Sequence, residues 1–468
     1  MQKPWAFALV QATHAIKASL NTPIATPALP DLRARLGATA AKLRQGLGQQ
    51  LKRSAAIALL LPATAMATPF VWTEVALPAS SGAACGDGSP YKFFVNTNPL
   101  STKTVVMFEG GGACWAQASC LGQGGVLSAV NPNGIPDNYM SSLSTQSKLG
   151  LVTPFTSRVD LMGTTTQTQS WNMVYIPYCT GDVHTGNVVA VYTDSDPSNP
   201  RVEYHRGNVN AKAVAAWLAQ NMAHPSELLV TGFSAGGVGS TAQYPTIRNA
   251  MAPAQSALLA DSGPLYPAPR SGTAQQYPSL PLHNKIRAAW GLDGPNGLIT
   301  QSVQQYPVYF DVNDLGSVSA ALGKVFPNDR IAYALFQEDA DFSNFSYVDF
   351  YPAIAAATGT QQASMINQLW RTDIANLTTG LNSAPGNVGY YIPYGRQLNK
   401  SHCLTIATFD GTGIADYGIP SVNTLVDNLL NPPPGPAGGP VIRVMQKLQQ
   451  MPAETAVEWL LINVLGLS

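Results

Sequence analysis

Five residues, Gly232-Phe233-Ser234-Ala235-Gly236, form a G-x-S-x-G segment. A serine placed on a sharp strand-to-helix turn exposes its hydroxyl as a nucleophile, and small neighbours are needed because the turn leaves no room for side chains. An apolar run over 228–232 supplies the strand, and the small residues of 236–242 can begin the helix. A serine hydroxyl needs a base. After residue 67 the histidines are His184, His205, His224, His283 and His402. The order serine, acid, histidine along the chain selects from those downstream. His402 lies in Asn399-Lys400-Ser401-His402-Cys403, a loop following a predicted strand, which suits a base. His283 starts a predicted helix in a Pro-rich stretch, and His224 ends one, where it caps a carboxyl terminus. The acid should leave a strand between Ser234 and His402. The strand predicted over 331–336 runs into Asp339 and Asp341; Asp341 is the preferred acid and Asp339 the alternative. The acid holds the imidazole tautomer and stabilises imidazolium. Asp261 is read as a support or a pocket wall.

Ester chemistry also needs N–H donors where oxyanion charge develops. Ala235, next to the nucleophile, offers one. Gly111 and Gly112, in the turn Glu109-Gly110-Gly111-Gly112-Ala113 after an early strand, offer others. The five cysteines, Cys85, Cys114, Cys120, Cys179 and Cys403, all follow residue 67. Disulfides are expected in an oxidising compartment, with Cys114–Cys120 a local staple beside the glycine turn. Neither C-x-x-C nor H-E-x-x-H occurs, so neither a metal nor another cofactor is expected.

Those groups must be carried by a scaffold. β-Branched and aromatic runs predict strands over 92–96, 104–108, 171–177, 228–232, 256–259, 331–336 and 388–393. Apolar spacing predicts a helix over 208–222. Strands separated by helical or loop stretches over more than 300 residues predict an α/β fold with a mostly parallel central sheet flanked by helices. The segment 431–440 (NPPPGPAGGP) reads as a surface loop, and 441–448 and 453–465 as helices returning to the body.

The 468 residues are 45% hydrophobic and only 11% charged, with 26 basic and 26 acidic residues. Residues 1–53 hold eight Lys/Arg and one acid, Asp31; from residue 68 the net charge is −7. A body of that charge has no bulk attraction for phosphate, so nucleic acid is excluded as a partner. Lys52-Arg53, a short apolar run and Ala65-Met66-Ala67 have the three parts of an export signal. The apolar run is far shorter than the ~20 residues of a membrane span, so stable insertion is not expected. Residues 1–67 therefore read as a leader with a signal-like segment at about 52–67, removed after Ala67. Residues 68–468 read as a single domain of a secreted or periplasmic protein.

Taken together, Glu109-Gly110-Gly111-Gly112-Ala113-Cys114-Trp115, Tyr178-Cys179-Thr180-Gly181-Asp182, Gly232-Phe233-Ser234-Ala235-Gly236-Gly237, Asp261-Ser262-Gly263 and Ser401-His402-Cys403 resemble the pectin acetylesterase family, which also contains the Notum carboxylesterases. The resemblance runs from about Cys85 to Cys403. It implies an α/β-hydrolase-like fold, a Ser234–Asp341–His402 triad and an oxyanion hole of Gly111, Gly112 and Ala235. It also implies Cys85–Cys179 and Cys114–Cys120 disulfides, with Cys403 free. The family acid stands in an Asp-x-x-Gln context, whereas Asp341 is followed by Asn344, so Asp339 stays open. Ala113 replaces a tryptophan of the plant members. The implied activity is a serine carboxylesterase acting on an ester substrate, with acetyl esters of a polysaccharide first. Another ester, such as a polyester or longer acyl chain, and a non-catalytic carbohydrate-binding protein on the same fold are the alternatives.

Overall fold

The computed structural model describes residues 69–123, 127–137, 139–140, 153–160, 163–432 and 439–463. They belong to one compact unit, Ala67–Ser468. The expected leader, residues 1–67, lies outside the described residues.

Eleven strands are described, in chain order β1 (Thr73–Ala76), β2 (Lys92–Asn96), β3 (Lys103–Phe108), β4 (Asn172–Ile176), β5 (Val188–Tyr192), β6 (Arg201–His205), β7 (Glu227–Phe233), β8 (Gln255–Asp261), β9 (Arg330–Ala334), β10 (Val388–Ile392) and β11 (Arg443–Met445). Nine make one sheet in the order β1-β2-β4-β3-β7-β8-β9-β10-β11. From β4 to β11 the pairing is parallel, while β2 runs antiparallel to both β1 and β4. The β5–β6 hairpin stands apart and was not foreseen. The α/β-hydrolase-like expectation is met.

The central strands are apolar throughout because both faces are covered. On one face Val106, Val230, Leu258, Ile331 and Val388 join a core with residues of helices α1 (Gly207–Asn221), α2 (Ala235–Met251) and α5 (Gly359–Asn382). On the other, Val105, Leu229, Leu259, Ala332 and Tyr391 pack with Leu425 and Leu429 of α6 (Asn423–Leu430). The two sets alternate along each strand, the period-2 geometry of a pleat. Two further helices bear on the site: α3 (Leu280–Ala289) and α4 (Ala340–Tyr347).

One of the elements expected from the sequence takes another form. The stretch 441–448 is not a helix: its residues Arg443–Met445 form strand β11, because Tyr390–Ile392 of β10 offers an open edge that pairs with them. The Arg443 guanidinium locks the pairing by donating to the carbonyls of Val388, Ala384 and Pro385.

Cys85 is bonded to Cys179 and Cys114 to Cys120, with Cys403 reduced and buried. A crosslink stabilises mainly by restricting the unfolded chain, more so for longer loops. The Cys85–Cys179 pair spans 94 residues and Cys114–Cys120 only 6. Replacing both cysteines of the long loop by serine should cost about 4.7 kcal/mol in urea denaturation, against about 2.4 kcal/mol for the short one. Equal losses would show that chain entropy does not set these contributions.

Candidate active site

β7 ends at Phe233 and α2 begins at Ala235, so Ser234 alone makes the turn, at φ 58° and ψ −126°. An L-residue at positive φ is strained, and such strain persists only where surroundings over-determine it. The Ser234 N–H donates to the Asp261 carbonyl at 2.9 Å, and the Ser234 carbonyl accepts from Gly237 and Val238 at 2.9 and 3.2 Å. A Cβ on Gly236 would stand 2.1 Å from the Phe108 carbonyl oxygen, so the helix start can approach β3 only as glycine. Ser234 is half-buried.

His402 lies in the loop after β10, where Asn399, Lys400, Ser401, Cys403 and Ala407 all have positive φ. Two buried charges hold that contorted backbone. The Asp261 carboxylate accepts the N–H groups of Leu404 at 2.9 Å and Thr405 at 2.7 Å, plus the Thr405 hydroxyl at 2.7 Å. The Arg396 guanidinium donates to the carbonyls of Cys403, Ile406, Thr408 and Asp410. Burial lowers the Arg396 pKa to about 10, which still leaves it charged at neutral pH. Asp261 is fully buried, so it is a support and not a pocket wall. Through its main-chain oxygen and its carboxylate it grips both the serine turn and the histidine loop. Sequence reasoning missed Arg396; a lone arginine after a buried strand in a charge-poor chain was the available signal.

The carboxylate facing His402 is Asp339, not Asp341. Its Oδ2 and Oδ1 lie 2.8 and 3.0 Å from His402 Nδ1. Asp339 is the N-cap of α4, and its Oδ1 also accepts from the Phe342 N–H at 2.9 Å. A capping residue still has extended backbone, so its side chain turns back over the helix end. Asp341, two residues later, is inside the first turn and faces another direction, where it complements the helix dipole. Burial alone would lower the His402 pKa, but the Asp339 carboxylate offsets this and raises it well above the ordinary range. With Nδ1–H donated to Asp339, neutral His402 carries its lone pair on Nε2, as a base must.

The other histidines are occupied elsewhere. His184 Nε2 bonds the Glu109 carbonyl at 2.8 Å, and His205 is held by the Thr180 carbonyl and the Tyr192 hydroxyl at 2.9 and 2.8 Å. Burial lowers the pKa of His184, His205 and His283 to about 4, so all three are neutral. His224 does serve a helix carboxyl terminus, but that of α2, donating to Met251 at 2.8 Å, rather than that of the helix it follows. Cys114, Cys120 and His205 lie close enough to suggest a metal cluster, yet the two sulfurs are already bonded to each other.

The glycine turn abuts the serine turn: a Cβ on Gly110 would stand 2.5 Å from the Phe233 carbonyl oxygen. Gly112, at φ 91°, has no space for a side chain, since a Cβ would fall 1.8 Å from the Leu127 carbonyl oxygen. Ala113 donates to Leu127 at 3.0 Å and Cys114 to Gly181 at 2.8 Å. Among the described residues no acceptor takes the N–H of Gly111, Gly112 or Ala235. Ala235 opens α2, where first-turn N–H groups have no partner within the helix. Below the turn, buried Glu109 accepts from Tyr175 at 2.7 Å, the Tyr178 N–H at 2.8 Å, Asn131 at 3.2 Å and Tyr139. Burial pushes its pKa up to about 7 despite these donors.

In an NMR titration of the ring nitrogens, Asp339→Asn should bring the His402 pKa down towards its ordinary ~6.5, and Asp341→Asn should leave it unmoved. A shift in Asp341→Asn alone would reverse the assignment. Asp261→Ala should deprive the Leu404 and Thr405 N–H groups of an acceptor and cost about 1–3 kcal/mol for each group left unsatisfied. Faster amide exchange at those two residues would locate that loss in the His402 loop.

Residues 64–280 match the sequence profile of the family described as PAE: Pectinacetylesterase. A curated relative, pectin acetylesterase 7 of Arabidopsis thaliana, is 27% identical over 184 residues, which span 39% of this chain and 42% of that protein. Two crystal forms of Notum, the Wnt deacylase from Drosophila, share the fold. Each superimposes with a TM-score of 0.50 over 81% of this chain and 97% or 96% of theirs, at 18% and 17% identity. With its glycine turn, serine turn and histidine loop in place, the chain is similar to the pectin acetylesterase family over residues 64–280 and shares the fold of Notum.

Proposed function

We propose that the protein is a secreted serine carboxylesterase that removes O-acetyl groups from a polysaccharide such as pectin. The observation that carries the reading is the Asp339–His402 pair, with Nδ1 to Oδ2 at 2.8 Å, on a loop that Asp261 ties to the strained turn of Ser234. The chemistry follows from what each group can hold. His402 Nε2 takes the Ser234 proton as Oγ attacks the ester carbonyl carbon. The carbonyl oxygen becomes an oxyanion, received by the N–H groups of Gly111, Gly112 and Ala235. Asp339 stabilises the resulting imidazolium without taking its proton. The carbon–oxygen bond to the sugar then breaks, and His402 passes its proton to the departing sugar oxygen, leaving an acetyl-serine. Water, deprotonated by His402, attacks that ester and releases acetate and free Ser234.

Similarity over residues 64–280 to an esterase family, and an acetylesterase relative, support the substrate class. Two disulfides support export, because such bonds persist in oxidising compartments. Among the described residues no helix is long and apolar enough to cross a membrane.

Acetate release from acetylated pectin and acetylated xylan should be abolished in Ser234→Ala, and a fluorophosphonate should label the parent protein but not that variant. Cleavage of p-nitrophenyl acetate through Ser234, with neither polymer attacked, would keep the serine esterase and remove the polysaccharide. Absence of labelling would remove the mechanism.

The base must be neutral to accept a proton, and Asp339 raises its pKa. Activity should therefore fall as pH drops through that raised value. Asp339→Asn should move this acid limb to lower pH while reducing kcat on the order of 10⁴-fold. An unmoved limb would show that another group sets it.

A further inference from the structure

Beside the catalytic acid lies an open groove of about 510 Å³. Its floor is one stripe of α5, where Ser364, Asn367, Gln368 and Arg371 recur at the three- and four-residue spacing of a single helix face. The opposite face of α5, with Ile366, Trp370, Ile374 and Leu377, is buried in the core. The groove wall is formed by Glu338 and Tyr394. Glu338 immediately precedes Asp339, so the wall and the acid belong to one segment. That segment is fixed: the Glu338 N–H donates to the Tyr394 carbonyl at 3.1 Å, and the Trp370 indole donates to the Phe336 carbonyl at 3.1 Å.

The chemistry of the groove is specific. The Glu338 side chain is only 15% exposed and accepts from Asn367 at 2.6 Å and from Arg371. That pairing cancels the charges of the groove's acid and base. The Ser364 and Gln368 side chains make no hydrogen bond to the protein among the described residues, so their donors and acceptors face the opening. Tyr394 adds an aromatic surface. An uncharged wall of planar amides and hydroxyls beside one ring suits a ligand that presents hydroxyls and apolar C–H faces in alternation, and lacks the unpaired cation that would select a phosphate or carboxylate.

From this we infer that the α5 groove is a subsite for the sugar chain of the substrate, read through hydroxyls and not through charge. The inference rests on the polysaccharide reading above. In that arrangement the groove holds the polymer while the ester is cleaved at Ser234, so it contributes to binding of polymers and not of small esters.

The test uses the full chain carrying Ser234→Ala, titrated calorimetrically with deacetylated oligosaccharides of xylan and of pectin. Ala363→Trp, on the same exposed stripe, fills the groove without removing any hydrogen bond. It should weaken oligosaccharide binding at least tenfold, and Gln368→Ala should weaken it about two- to tenfold, as expected for one lost hydrogen bond. Binding should change little between low and high salt, since no net charge is engaged. In the active enzyme, Ala363→Trp should raise KM for acetylated polymer by a similar factor and leave kcat/KM for p-nitrophenyl acetate unchanged. No oligosaccharide binding, equal binding in Ala363→Trp, or binding of uronate chains alone that salt abolishes would each overturn the subsite. A failure of the esterase reading would show separately, as absence of acetate release from polymer by the parent enzyme.

Discussion

Asp261 is the constraint on which the site depends. It ends β8, in the middle of the sheet, and serves two loops that are more than 160 residues apart in the chain. Its carbonyl holds the N–H of Ser234, and its carboxylate holds Leu404 and Thr405 beyond His402. The Ser234 turn and the His402 loop are both strained at positive φ. Neither would keep its shape on local preferences alone, because an L-residue pays steric cost there. A single fully buried carboxylate, with two backbone N–H donors and two hydroxyls, Thr405 and Ser262, satisfying it, converts two unstable turns into one rigid object.

The same device recurs at two other buried acids, Glu109 and Asp182. Glu109 is held by tyrosine hydroxyls, an amide and a backbone N–H. Asp182 is held by the Thr180 hydroxyl at 2.6 Å and by the N–H groups of Gly207, Gly186 and His184 at 2.8, 3.0 and 3.1 Å. Neither receives a lysine or arginine among the described residues. Burial raises both pKa values, to about 7 and about 6. Neutral donors avoid the cost of burying a second charge, which often exceeds what an ion pair returns. They also suit a chain with only 11% charged residues. Glu109 underlies the glycine turn and Asp182 the start of α1, so these acids fix the backbone that surrounds the site. Asp339 differs in kind: it faces the imidazole of His402.

Much of the scaffold was legible before any coordinates. Every strand expected from β-branched and aromatic runs is present within a few residues, because strands covered on both faces must be apolar throughout. What escaped was set by partners distant in the chain. Residues 443–445 carry no strong strand pattern of their own and become β11 only because β10 presents an unpaired edge. The β5–β6 hairpin is half-exposed, so its pattern is weak. Arg396 looked like any surface arginine, yet it is buried under four carbonyls of the histidine loop.

The sequence by itself determined the serine turn, the glycine turn and the histidine to examine. A turn too tight for side chains must be written locally in glycine and serine, and chain order then leaves few histidines to choose from. Tertiary structure decided which acid completes the pair. Asp339 and Asp341 are two residues apart and chemically identical, and they differ only in direction once β9 has led into α4 and placed one of them at the cap. It also decided the role of Asp261, whose donors arrive from residues 404 and 405. Contacts of that separation leave no local trace in the chain, since they exist only when the sheet brings the ends of β7, β8 and β10 side by side.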